Sequence, residues 1–216
     1  MMTTRTTRQH AFAFMAPETV LLTSHDELKQ AAKLIDKVRA SLDDSQKFFL
    51  LPKTVEFMKN QLTDGNAILG LKDANGTLMG LTIIRKMDHW TDIPNFEGLP
   101  FIGFLANETP CMLQSVCTHP EYRGAGLADK LLTAAENWCR ENGRTRLIAR
   151  IVTENSGSRN AFTRNEFQIL SEGIDAQDGY GYLYAGKAIV SNPYLVGEED
   201  YLTIGDHPTE SDIHPC

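Results

Sequence analysis

Apolar residues recur every three or four positions through Leu28, Ala31, Ala32, Ile35, Val38 and Leu42. This is the stripe that one buried face of a helix leaves in a sequence. Ser24-His25-Asp26-Glu27 stands just before it. That is a capping-box pattern, in which the Ser and Glu side chains satisfy each other's backbone N–H groups. A first helix is therefore predicted to about residue 42. Val55, Met58 and Leu62 predict a second, starting near Pro52, where the fixed φ suits a first turn, and stopping at Gly65. The pattern then changes. Ala67–Leu71 and Leu78–Ile84 are short apolar runs flanking Asp73-Ala74-Asn75-Gly76, and an Asn-Gly turn between such runs predicts a β-hairpin.

Residues 88–110 follow no period and carry Pro94, Pro100, Pro110, Gly98, Gly103 and several aromatics. So long a connection predicts either a binding loop or a flap over the sheet. Met112–Thr118 predicts a central strand. Residues 126–142 predict an amphipathic helix with Leu127, Ala128, Leu131, Leu132, Ala135, Trp138 and Cys139 on its apolar side. Glu136 and Arg140 are spaced to pair on its wet side, and Asn142-Gly143 ends it. Leu147–Val152 reads as a strand covered on both faces. A short helix from about Ser156 and strands at Phe167–Leu170 and Tyr182–Val190 follow.

Composition narrows the class. The chain has 216 residues, 42% of them hydrophobic, enough for one substantial core. Net charge is −7 with a pI near 5.4, which argues against a nucleic-acid partner. Cys111, Cys117, Cys139 and Cys216 form no Cys-x-x-Cys pair and no zinc-type cluster, so no metal is expected. Free thiols predict a reduced, cytoplasmic compartment. No apolar run approaches a membrane span, and residues 1–16, with Arg5, Arg8 and many Thr, predict a disordered N-terminus rather than a leader. Residues 191–216 contain no Lys or Arg but Glu198, Glu199, Asp200, Asp206, Glu210 and Asp212, and read as an acidic, partly disordered C-terminal extension. A single domain over 17–190 remains.

The chemistry concentrates in Val116-Cys117-Thr118-His119-Pro120-Glu121-Tyr122-Arg123-Gly124-Ala125-Gly126-Leu127-Ala128. A strand ends in a Pro turn, a Gly-rich loop follows, and a long helix begins. The helix head leaves N–H groups unpaired with the positive end of the dipole behind them, a place for a phosphate or pyrophosphate. Gly124 and Gly126 let the backbone approach an anion closely, and Arg123 adds a charge for direct contact. A P-loop is excluded because Leu127-Ala128 stand where it needs Lys-Ser/Thr, and a dinucleotide fingerprint because Asp129 stands where it needs Gly.

What remains, Arg-x-x-Gly-x-Ala at 123–128 preceded by Thr-His-Pro-Glu-Tyr, resembles the pyrophosphate loop of the GCN5-related N-acetyltransferases. Asn155, Ser158 and Phe167 also match that family's Asn-x-x-Ala/Ser-x-x-Leu-Tyr-x-x-x-Gly-Phe pattern. The resemblance spans roughly residues 66–190 and is strongest over 114–167. It implies an α/β (α+β) domain of the acyl-CoA N-acyltransferase fold, a mixed, mostly antiparallel sheet flanked by helices. It also implies transfer of an acetyl group from acetyl-CoA to a primary amine of a small molecule or protein, with both substrates bound. Implied cofactor contacts are Val116, Cys117 and Thr118 on the central strand, residues Arg123, Gly124, Ala125, Gly126, Leu127 and Ala128 in the loop, and Asn155, Ser158 and Phe162 beyond. Asn155 also reads as a plain helix cap. Homodimers are common in the family, and no stretch of this chain specifies one.

Two positions depart from the pattern. Phe162 stands where many members carry a Tyr that protonates the leaving thiolate, and Glu166 replaces a Gly, a change expected to affect only a turn. An acid must then come from elsewhere, and Tyr182 and Tyr184 are the candidates, although Tyr180, Tyr182 and Tyr184 also read as one packed sheet face. Glu108 is a candidate base to deprotonate the amine, or a solvated loop carboxylate. His119, before Pro120, suggests a turn role. Trp90 and Phe96 read as acceptor-pocket walls or as a covering flap. Two other readings stand beside acetyl transfer: a coenzyme-A-binding sensor or scaffold without turnover, motivated by Phe162 and the acidic tail, and transfer of a longer acyl group.

Overall fold

The computed structural model describes residues 16–88, 92, 108–175 and 179–189. Seven strands form one sheet: β1 (Glu18–Leu21), β2 (Ala67–Lys72), β3 (Leu78–Lys86), β4 (Pro110–Thr118), β5 (Arg146–Val152), β6 (Gln168–Ile174) and β7 (Gly181–Ala188), in the order β1-β2-β3-β4-β5-β7-β6. Every neighbouring pair is antiparallel except β4 and β5, which run parallel. Among the described residues four α-helices cover it: α1 (His25–Ala40), α2 (Val55–Thr63), α3 (Leu127–Glu141) and α4 (Ser156–Arg164). The helix α3 is the crossover that parallel strands require.

Local chemistry explains most of these elements. At α1, the Ser24 hydroxyl accepts from Glu27 N–H while Glu27 accepts from Ser24 N–H, the predicted capping box. The β2–β3 turn is closed by Asp73, whose carboxylate accepts from the N–H groups of Asn75 and Thr77 at 2.9 and 2.8 Å, with Gly76 at φ 78°. At the end of α3, Gly143 takes φ 64° and Arg144 N–H bonds back to Cys139 at 2.9 Å, the αL termination that Asn-Gly predicts. Glu166 takes φ 65° and closes α4 in the same way, with Phe167 N–H on Phe162 O at 3.1 Å. The missing Gly thus leaves a left-handed turn intact.

Three elements differ from the sequence expectation. The second helix starts at Val55, not near Pro52, because Thr54 caps it by accepting from Phe57 N–H at 3.0 Å. A 3-10 helix, Asp44–Phe49, precedes it. The strand β1 was not expected. Four residues carry little periodicity, and they are strand because β2 offers an open edge. Glu136 pairs with Lys187 on β7 at 2.8 Å rather than with Arg140, so it anchors α3 to the sheet. The segments 1–15, 89–91, 93–107, 176–178 and 190–216, with Trp90 and Phe96 and the two predicted terminal extensions save Ala16, lie outside the described residues.

The sheet divides two apolar layers. On one side, Leu28, Ala31, Ile35 and Val38 of α1 and Met58 of α2 pack against Ile68, Leu81 and Ile83. On the other, Leu132, Ala135 and Cys139 of α3 and Phe162 of α4 pack against Leu113, Ala149, Ile151, Leu183 and Ala185. Glu27 also reaches Lys72 of β2 at 2.8 Å, tying α1 to the sheet. The Lys72 ammonium, with the Ser24 and Thr23 donors, holds the Glu27 carboxyl at about 2, well below its usual 4.5. Depressed in the fold, it adds stability fully above its unfolded pKa and loses it as pH falls through 2. Glu27→Gln is therefore expected to cost about 1–2 kcal/mol at pH 7, a lost cap plus a partly shielded pair. The deficit should shrink between pH 5 and 2, read as urea midpoints across that range.

Candidate functional site

The two parallel strands separate where the chain turns toward the Gly loop. Pairing of β4 with β5 runs from Pro110↔Arg146 to Leu113↔Ala149 and stops there. On the other edge β4 stays paired with β3 to Thr118, with a bulge at Gln114, since Ile83 faces Ser115 and Ile84 faces Leu113. A bulge re-aims side chains and bends a strand away from its neighbour. The gap leads into a cavity of about 1040 Å³, large enough for an extended organic ligand.

At one end of this cavity lies the Gly loop. Pro120–Tyr122 forms a single 3-10 turn capped by His119, whose Nδ1 accepts from Glu121 N–H at 3.3 Å. His119 therefore has the turn role its position suggested. Gly124 and Gly126 take φ 80° and 72°, and a Cβ built on either would meet nothing within 4 Å. Gly126 caps α3 with no side chain. The N–H groups of Gly124, Gly126, Leu127, Ala128 and Asp129 find no acceptor among the described residues. A row of free donors at a helix head, with open space in front, fits an anion of diphosphate size. Arg123 stands beside it, tied by its Nη2 to Ser41 Oγ at 2.7 Å.

The predicted cofactor contacts converge. Val116, Cys117 and Thr118 line the cavity, as do Arg123, Gly124, Gly126, Leu127 and Ala128, and Asn155, Ser158 and Phe162 from the α4 side. Ala125 sits in the loop, its N–H on Tyr122 O, but does not line the wall. Asn155 caps α4, accepting from Ser158 N–H at 3.0 Å, and lines the cavity as well. Phe162 is shared between cavity and core and meets Phe167 edge-on at 4.9 Å. Burial pushes the Cys117 thiol up to about 12, so it stays protonated and is no nucleophile at neutral pH.

The candidate acids and base lie further off. Tyr182 and Tyr184 are buried neighbours on β7, rings 5.5 Å apart. The Arg150 guanidinium lies over Tyr182 at 4.4 Å. Arg150 lines the cavity while the two tyrosines do not. Burial pushes Tyr184 up to about 12, which keeps it a phenol. Glu108 precedes β4, at the end remote from the Gly loop, and is held by Arg146, whose Nη2 donates at 2.8 Å. It does not line the cavity.

Sequence reasoning missed the opposite wall. Phe48, Phe49, Leu50, Leu51 and Lys53 enter from the connection between α1 and α2, and Arg85, Met112, Gln114 and Arg150 from the sheet. Phe48 stacks on Tyr180 at 3.7 Å, joining this connection to the start of β7. The signal was present: Arg85, Gln114 and Arg150 each interrupt or end an apolar strand run.

The sequence matches the acetyltransferase (GNAT) family over residues 35–167, more than half of the chain, from within α1 to just past the end of α4. The chain belongs to this family. Solved structures share its fold, among them the ribosomal-protein-S18-alanine N-acetyltransferase from Escherichia coli, at 15% identity and TM-score 0.60, over 86% of this chain and 99% of that one. An acetyltransferase of the GNAT family from Streptococcus pneumoniae aligns at 18% identity and TM-score 0.58, over 80% and 100%. The protein yncA from Salmonella typhimurium, solved with its cofactor acetyl-CoA, aligns at 14% identity and TM-score 0.56, over 81% and 95%. No curated protein matches the chain in sequence. The seven-stranded, mostly antiparallel sheet with its helices is thus the acyl-CoA N-acyltransferase fold. Among the described residues no helix is long and apolar enough to cross a membrane.

Proposed function

We propose that this GNAT acetyltransferase moves an acetyl group from acetyl-CoA to a primary amine of a small molecule or protein, by direct attack with both substrates bound. The observation that carries the reading is the set of free N–H donors at the head of α3, opening on the gap between β4 and β5. Acetyl-CoA, when bound, supplies a thioester carbonyl open to attack by an amine. The loop donors and Arg123 hold its diphosphate. The backbones of Val116 and Thr118 lie along the gap, where strand groups freed from β5 can hold the pantetheine arm and polarise the thioester oxygen. Asn155 and Ser158 flank the arm from α4.

Phe162 has no proton to give, so the departing thiolate draws its proton from another group. Tyr184, a phenol at neutral pH, and Tyr182 are the candidates nearest the cavity wall on β7. Glu108, already paired with Arg146, is the weaker of the proposed proton carriers. The attacking amine must be neutral, and its proton leaves to solvent or a base.

The reading is tested by calorimetric titration of the chain with acetyl-CoA, free coenzyme A and ATP, then by thiol release with a panel of amines. Saturable binding of acetyl-CoA with weaker ATP binding, and amine-dependent thiol release, is the expected result. Binding without release on any amine supports the alternative that Phe162 motivates, a coenzyme-A-binding sensor. Turnover with longer acyl-CoA donors only would shift the donor.

A further inference from the structure

The cavity wall is cationic in a chain whose net charge is −7. Among the described residues its charged lining consists of Lys53, Arg85, Arg123, Arg150 and Arg164 against one carboxylate, Asp129. Three of the cations have assigned partners. Arg164 meets Asp129 at 3.2 Å, Arg150 meets Asp175, and Arg123 stands at the anion loop. Among the described residues, Lys53 and Arg85 meet no carboxylate.

Their place separates them from the diphosphate. Gly80 pairs with Thr118 at the loop end of the sheet, and Arg85 pairs with Met112. Five residues along β3 amount to roughly 16 Å at about 3.3 Å per residue. Arg85 therefore lies past the point where β4 and β5 part, on the far side of the gap from the loop. The bulged Gln114 is two residues from Met112, and its side-chain Oε1 is buried with no hydrogen-bond partner among the described residues. Lys53 lies against the Phe57 ring at 4.5 Å, and burial lowers its pKa. A partly desolvated cation without a counter-charge gains most from an anionic ligand.

We infer that the acceptor is a small amine that also carries an anionic group, a carboxylate or a phosphate, with the anion received by Arg85 and Lys53 and the amine presented to the Gln114 side-chain oxygen. This rests on the acetyl-transfer reading. Arg85 and Lys53, which meet no carboxylate among the described residues, and the Gln114 oxygen are then complementary to two ends of one molecule, with Phe49, Leu51 and Met112 around its body.

The test is thiol release from acetyl-CoA with matched acceptors. β-Alanine and its amide form one pair, O-phosphoethanolamine and ethanolamine a second, and α-amino acids and their amides a third. The anionic member is expected to show about tenfold or higher kcat/KM, the scale of a charge-assisted contact. The preferred pair distinguishes carboxylate from phosphate. Arg85→Met should remove that preference through KM for the anionic acceptor. It should leave the KM for acetyl-CoA unchanged, and Arg85→Lys should restore part of the preference. Equal use of neutral and anionic members by the parent chain overturns the inference while leaving acetyl transfer intact. So does a rise in KM for acetyl-CoA in Arg85→Met, which would assign Arg85 to the donor. Failure of acetyl-CoA to bind in calorimetry removes the transfer reading and this one with it.

Discussion

Gly126→Asp is expected to weaken acetyl-CoA binding by about 100-fold or more, some 2.7 kcal/mol. Two effects act together. Gly126 sits at φ 72°, where a Cβ is strained by about 1–2 kcal/mol. A Cβ there would meet nothing within 4 Å, and under the proposed binding a carboxylate at the helix head repels the diphosphate and competes for the same donors. Gly126→Asn isolates the charge. Asn matches Asp in size and in its tolerance of the left-handed region but adds no charge, so it should lose much less affinity. Calorimetry of the three proteins with acetyl-CoA, with urea midpoints to show that each is folded, decides it. Unchanged affinity in Gly126→Asp would place the donor site elsewhere on the molecule.

Phe162→Ala should cost about 3–4 kcal/mol of stability and lower Tm by about 10 °C. The ring is 4% exposed, packs in the core formed by α3, α4 and the sheet, and meets Phe167 edge-on. Truncation loses the transfer free energy of the ring and leaves a void that opens toward the cavity. Because Phe162 also lines the cavity, acetyl-CoA affinity should fall as well, whereas Phe162→Leu should recover most of the stability. A loss below about 1 kcal/mol for the Ala variant would mean that α4 is not seated on the sheet as described.

Much of this was legible in the chain because it is local. The capping box at Ser24 and Glu27, the Asp73–Gly76 hairpin and the left-handed stop at Gly143 each act within about five residues, so the side chain and the backbone it satisfies are neighbours in the sequence. The loop at 123–128 was legible for the same reason: the glycines, the arginine and the helix head occupy one continuous stretch. Asn155 read equally as a cap or a ligand contact. The structure makes it a cap on the cavity wall, so the two readings were never exclusive.

What the sequence by itself determined is therefore the order of the main helices and strands, the two-sided sheet and the Gly-rich loop, all set by periodicity and by short-range hydrogen bonding. Tertiary structure alone decided the rest. The strand β1 exists because β2 leaves an edge to be paired. Glu136 turned from Arg140 to Lys187, 51 residues away, since a carboxylate pressed against the sheet takes the nearest cation in space, whatever its place on the helix. Lys53, Arg85 and Arg150 stand far apart in the chain and acquire a shared wall only when the sheet bulges at Gln114 and β4 parts from β5. No local propensity encodes that meeting, because its cause is the packing of non-neighbouring strands, and the charges of that wall are visible only after it.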